Sequence, residues 1–89
     1  MISEKDISAI SRIARKYRVQ RVLLFGSAAD QREESRDIDL AVEGVQPCDF
    51  FAFYGDLLFA LSKPVDLVDL SSDTQFTHLV RRDGVAVYG

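Results

Sequence analysis

Three short apolar runs restrict this chain more than any other feature of its sequence. They are residues 21–25 (RVLLF), 37–43 (DIDLAVE) and 65–70 (VDLVDL). Each has the length and the branched or alternating residues of a strand, and each is too short for a stable helix. The first ends at Gly26-Ser27, which predicts a buried strand followed by a sharp turn. The second alternates apolar with acidic residues and is stopped by Gly44 and Pro47.

The stretches between these runs have helical spacing. Ser3 followed by Asp6 resembles a capping box with Asp in place of Glu, and predicts a helix to about Tyr17. Ile7, Ile10, Ile13, Ala14 and Tyr17 fall on one side of it, and Lys5, Arg12, Arg15 and Lys16 on the other. Residues 28–35 are polar, with one or two helical turns predicted from Ala28 to Arg32. Residues 48–62 form a third helical stretch. Phe50, Tyr54, Leu57, Leu58 and Leu61 make its apolar stripe, Phe51 and Phe53 flank it, and Asp49, Asp56 and Phe59 lie opposite. Ser72 or Asp73 is placed to cap a last helix, about 74–82, with Gly84 beyond it and an extended tail at 85–88. The order α-β-(α)-β-α-β-α predicts an α+β fold.

Length and composition narrow the function classes. Eighty-nine residues suit one domain, 1–89, with one modest core. With 47% apolar and 28% charged residues the chain reads as an ordinary folded domain. No apolar run approaches the ~20 residues of a membrane span, and no apolar leader follows Met1. A lone cysteine, Cys48, excludes an internal disulfide and points to a reducing, cytoplasmic setting. Such a chain is expected to take any bulky acceptor from a partner protein.

Charge is uneven. The first 25 residues carry six bases and two acids, whereas residues 37–73 hold eight acids against Lys63 alone. Carboxylates that converge in space repel one another unless a cation lies between them.

Three local features then coincide. Gly26-Ser27 follows a strand and precedes a possible helix, where close backbone approach, free N–H groups and a hydroxyl suit a phosphate. By itself such a pair is usually only a turn. Asp37 and Asp39 are two residues apart on a strand, so both carboxylates leave one face while Ile38 and Leu40 enter the core. Paired acids of this kind are hard-oxygen ligands for Mg²⁺; on an open edge they would be two surface acids. Asp66 sits inside an apolar run, where an acid needs a partner, a metal or a solvated end. Asp69 competes with it from the other strand face, so only one of the two can join Asp37 and Asp39.

The combined pattern resembles the minimal nucleotidyltransferases of the DNA polymerase beta superfamily. The matching text is Leu23-Leu24-Phe25-Gly26-Ser27, then Asp37-Ile38-Asp39-Leu40-Ala41-Val42, then 63–70 (KPVDLVDL), and the ending 80–88 (VRRDGVAVY). The resemblance covers nearly the whole chain. It implies a two-layer nucleotidyltransferase fold, a small mixed sheet packed with helices. It further implies two Mg²⁺ ions held by Asp37, Asp39 and Asp66, these three also serving as the catalytic carboxylates, with Gly26 and Ser27 holding the β- and γ-phosphates of ATP. Many such proteins act as the antitoxin of a small HEPN-domain toxin and adenylylate a tyrosine of it. Against this pattern, Ala28, Ala29, Asp30 and Gln31 stand where the family usually has a basic residue and a glycine. The loop before Asp37 is also one residue shorter than the commoner spacing, and Arg36 replaces a small polar residue. The alternative is therefore a catalytically weak or inactive module of this fold that neutralises a partner by binding.

Other features read as ordinary structure. The basic side of the first helix is expected to be a solvated face rather than a nucleic-acid surface, because no aromatics interleave the bases. His78, with no second imidazole beside it, is expected on a helix surface. The aromatics at 50–54 are expected in the core.

Overall fold

The computed structural model describes residues 2–26 and 36–89. Its elements are α1 (Glu4–Lys16), β1 (Arg21–Phe25), β2 (Ile38–Glu43), α2 (Phe50–Ala60), β3 (Val65–Asp69), α3 (Gln75–Asp83) and β4 (Val85–Tyr88), with a 3-10 turn at Pro47–Asp49 before α2. The turns expected at 28–32 lie outside the described residues. Among the described residues no helix is long and apolar enough to cross a membrane.

The strands form one mixed sheet in the order β3-β2-β1-β4. β1 pairs antiparallel with both β2 and β4, while β2 and β3 run parallel. A parallel pair needs a crossover, and α2 supplies it. The segment expected as an extended tail is thus an edge strand, because the exposed backbone edge of β1 offers it hydrogen bonds.

Alternation along the strands divides the apolar residues between two faces. Val22, Leu24, Ile38, Leu40, Val42 and Val65 meet Ile10, Ile13 and Ala14 of α1 and Phe53 and Leu57 of α2 in the main core. Leu23, Ala41 and Leu70 meet Val80 of α3 on the other face, in a smaller cluster. The fold is therefore a sheet backed by α1 and α2, with α3 over one corner of the opposite face.

α1 begins as expected: the Ser3 hydroxyl accepts the Asp6 N–H at 3.2 Å. The other half of the box is not made. The Asp6 carboxylate is buried and accepts instead from the Ser62 hydroxyl at 2.6 Å and the Ser62 N–H at 3.2 Å. This ties the start of α1 to the chain just after α2. The basic side chains of α1 are exposed, as expected.

Two details depart from the sequence reading. The buried face of α2 is centred on Phe53 and Leu57, whereas Leu58, and Phe51 among the aromatics expected in the core, are exposed. Asp56 turns toward α1 and accepts from Lys16 Nζ at 2.9 Å and the Tyr17 hydroxyl at 2.8 Å. The helix is apolar on almost every side, so periodicity alone could not fix its rotation. The N-cap of α3 is Thr74 rather than Ser72 or Asp73, because Thr74 and Thr77 form a reciprocal capping box.

Candidate active site

Parallel pairing of β2 with β3 places Ile38 beside Val65 and Asp39 beside Asp66. Ile38 is fully buried toward the main core, so Asp39 is forced to the opposite face, and the register carries Asp66 there with it. Asp37 is an exposed bend residue just before β2. On the other side, antiparallel pairing sets Phe25 directly opposite Asp39. Asp69 lies against Val42, on the other strand face from Asp66. It accepts the Ser71 N–H at 2.9 Å and closes the turn after β3. The structure thus brings Asp37, Asp39 and Asp66 together and leaves Asp69 out.

Gly26 completes this corner. Its φ is +67°, a left-handed value that side chains disfavour. A Cβ there would overlap the Asp39 carboxylate, with Cγ only 3.3 Å away. Glycine is therefore required twice, for the turn and for the close approach of the carboxylate to the end of β1. Ser27, the other residue expected at a phosphate, lies outside the described residues.

The electrostatics follow from this crowding. The Asp39 carboxyl is held above the ordinary range, first by partial burial, then by the negative charges of Asp66 and Asp37 and a hydrogen bond shared with Asp66. A cation beside these carboxylates would relieve that repulsion. Among the described residues no group of three or more acidic, thiol or imidazole side chains forms a ready metal cage. Mg²⁺ is usually held by one or two carboxylates with the remainder from water and substrate phosphates. Hard oxygen donors and mutual repulsion fit such an ion.

Beside this corner is a cleft of ≈170 Å³ between the end of β1 and α3. Phe25 and Phe76 meet edge to face across it, with ring centroids 5.9 Å apart. Sequence reading missed this pair. Phe25 carries a signal, since it alternates with Leu23 onto the face of Asp39; Phe76 carries none, because its place depends on how α3 docks.

Docking of α3 depends on a second set of charges. Glu43, at the far end of β2, bonds Arg21 Nη2 at 3.1 Å and pairs with Arg81 of α3. Arg81 Nη2 also donates to the Leu70 carbonyl at 2.8 Å. Arg81 first, and Arg21 after it, hold the Glu43 carboxyl below its ordinary range against the opposing effect of burial.

Comparison with known proteins agrees with this geometry. Residues 8–89 match the family model described as polymerase beta, nucleotidyltransferase. A solved toxin–antitoxin complex with AMP-PNP is 29% identical, with a TM-score of 0.75, covering 93% of this chain and 73% of that one. A complex of tri-AMPylated Shewanella oneidensis HEPN toxin with MNT antitoxin is also 29% identical, with a TM-score of 0.71, covering 94% of this chain and 70% of that one. A minimal nucleotidyltransferase is 28% identical, with a TM-score of 0.70, covering 89% of this chain and 86% of that one. No curated protein sequence matches the chain. A mixed sheet with two acids in register beside a glycine turn, and a family match over nearly the whole length, lead to one conclusion: this chain belongs to the polymerase beta nucleotidyltransferase family.

Proposed function

We propose that this chain is a single-domain, cytoplasmic antitoxin that transfers AMP from ATP to a hydroxyl of a HEPN-domain toxin, with Mg²⁺ as cofactor. The observation that carries the reading is the register of Asp39 with Asp66 beside Gly26. It supplies the carboxylates and the close backbone approach that nucleotidyl transfer requires, on one sheet corner. The neighbouring structures support the partner class, since two of them are toxin–antitoxin complexes, one with a tri-AMPylated HEPN toxin.

Asp37 and Asp39 would hold the metal, with Asp66 alongside. The metal would neutralise charge developing on the triphosphate. Gly26, with Ser27 after it, would hold the β- and γ-phosphates, leaving the α-phosphorus beside the carboxylates. The acceptor hydroxyl oxygen forms a bond to that phosphorus while the bond to the bridging oxygen of pyrophosphate breaks. The hydroxyl proton would pass to Asp66, which the register sets beside Asp39.

Intact-mass measurement of the toxin after incubation with this chain, ATP and Mg²⁺ tests the reading. The expected result is added AMP with the wild type and at least about a hundredfold slower addition with Asp39→Asn. A toxin of unchanged mass, in a complex that demonstrably forms, would refute it.

A second reading rests on Ala28-Ala29-Asp30-Gln31, which lack the cation usual at that place. It is neutralisation by binding alone. Neutralisation that survives Asp37→Ala, with no metal-dependent ATP affinity by calorimetry, would favour it.

A further inference from the structure

We infer that the cleft between β1 and α3 is the seat of the nucleotide's base, so that α3, not the carboxylate corner, sets which nucleotide binds. This deepens the nucleotide reading above and rests on it. The cleft is lined by Phe25, Gly26, Phe76, Leu79, Val80 and Asp83. It shares Gly26 with the turn expected to hold phosphates, and Phe25 stands opposite Asp39 in the sheet. A ligand whose phosphates lie against Gly26 therefore has the cleft as its immediate neighbour. At ≈170 Å³ the cleft is smaller than the roughly 300 Å³ and upward of a site for a whole drug-sized ligand. It suits one flat ring attached to a group bound next door.

The walls have the chemistry of a stacking site. Phe76 is 50% exposed and Leu79 43% exposed, on the same cleft. Their exposed area faces no other part of the described chain and would be covered by a stacked ring. Aromatic stacking binds any base through its π-face. Among the described residues Asp83 is the only charged one in the lining, and both its oxygens are engaged by Arg82, at 3.0 Å each. A cleft with faces to stack on ranks bases by stacking area. It prefers purines to pyrimidines.

Calorimetric titration of the full chain with Mg-ATP, Mg-UTP and Mg-tripolyphosphate tests this, because the last has the phosphates without the base. Phe76→Ala should weaken ATP by about tenfold and leave tripolyphosphate within twofold. Phe76→Tyr, which keeps the ring, should bind ATP like the wild type. Wild-type chain should bind ATP more tightly than UTP. Unchanged ATP affinity in Phe76→Ala overturns the inference, as does a loss shared equally with tripolyphosphate. Unchanged ATP affinity together with slower transfer to the toxin would assign the cleft to the acceptor, which also overturns it. A wild type that binds neither ATP nor tripolyphosphate would instead sink the nucleotide reading itself.

Discussion

The two ends of β2 carry acids on the same sheet face and treat them in opposite ways. Glu43 meets two arginines, and its carboxyl is pushed down. Asp39 meets burial and two more carboxylates, and its carboxyl is pushed up. One strand of six residues thus holds a charge cluster that supports the fold and another that strains it. The first locks α3 to the sheet through Arg81. The second sets like charges side by side, an arrangement that a cation or a proton would relieve.

The most damaging change to this contrast should come at Gly26. Gly26→Ala forces a left-handed backbone on alanine and drives its methyl into the Asp39 carboxylate. The expected loss is about 1–3 kcal/mol of stability, read as a lowered urea midpoint. Metal-dependent nucleotide affinity should fall with it. If Gly26→Ala is as stable as wild type, the close packing of turn and carboxylate is not a constraint on this corner.

Next in size is the paired end. Glu43→Gln keeps the shape but leaves Arg21 and Arg81 facing a neutral amide. Both arginines are partly open to solvent, so the expected loss is about 1 kcal/mol after screening. The loss should shrink in high salt, whereas that of Gly26→Ala should not. The pH signature also has a definite sign. Glu43 titrates below its ordinary 4.5 in the folded chain, so its contribution is complete above that value. It disappears as pH falls through the lower folded value, and Glu43→Gln should flatten that part of the acid limb. An unaltered acid limb would place the anchoring of α3 elsewhere.

How far these two ends could be read from sequence differs for a physical reason. Strand alternation is local, so Asp39 opposite the buried Ile38 and Leu40 was legible from residues 37–43. The choice between Asp66 and Asp69 was not, because it depends on the parallel register with β2, which no local pattern encodes. The Glu43–Arg81 contact joins residues 38 apart and was likewise invisible. Helix existence was legible for α1, α2 and α3, but the rotation of α2 was not, since its residues are apolar nearly all round. Asp6 was read as a cap because the Ser3 signal is local; its true partner, Ser62, arrives only when α1 and α2 pack. The edge strand β4 looked like a tail because its partner is β1, which lies at the far end of the chain.

The smallest effect should be the most telling, because its sign is unusual. Asp39→Asn removes one of two acids paired across neighbouring strands, and like charges so placed are destabilising by a few tenths to about 1 kcal/mol. In metal-free buffer at neutral pH the variant should therefore be more stable than wild type, by about 0.5 kcal/mol. The sign holds because the folded chain binds the Asp39 proton more tightly than the unfolded chain does. From the ordinary 3.8 upward the unfolded state loses that proton first, so wild-type stability declines as pH rises through the higher folded value. Asp39→Asn should lack the decline, the opposite of what Glu43→Gln does at its own end. Added Mg²⁺ should stabilise the wild type and leave the variant nearly unchanged, because the variant has lost a ligand as well as a repulsion. A variant less stable than wild type in metal-free buffer would mean that Asp39 is held by favourable contacts, and the strained end of β2 would then be no different in kind from the paired one.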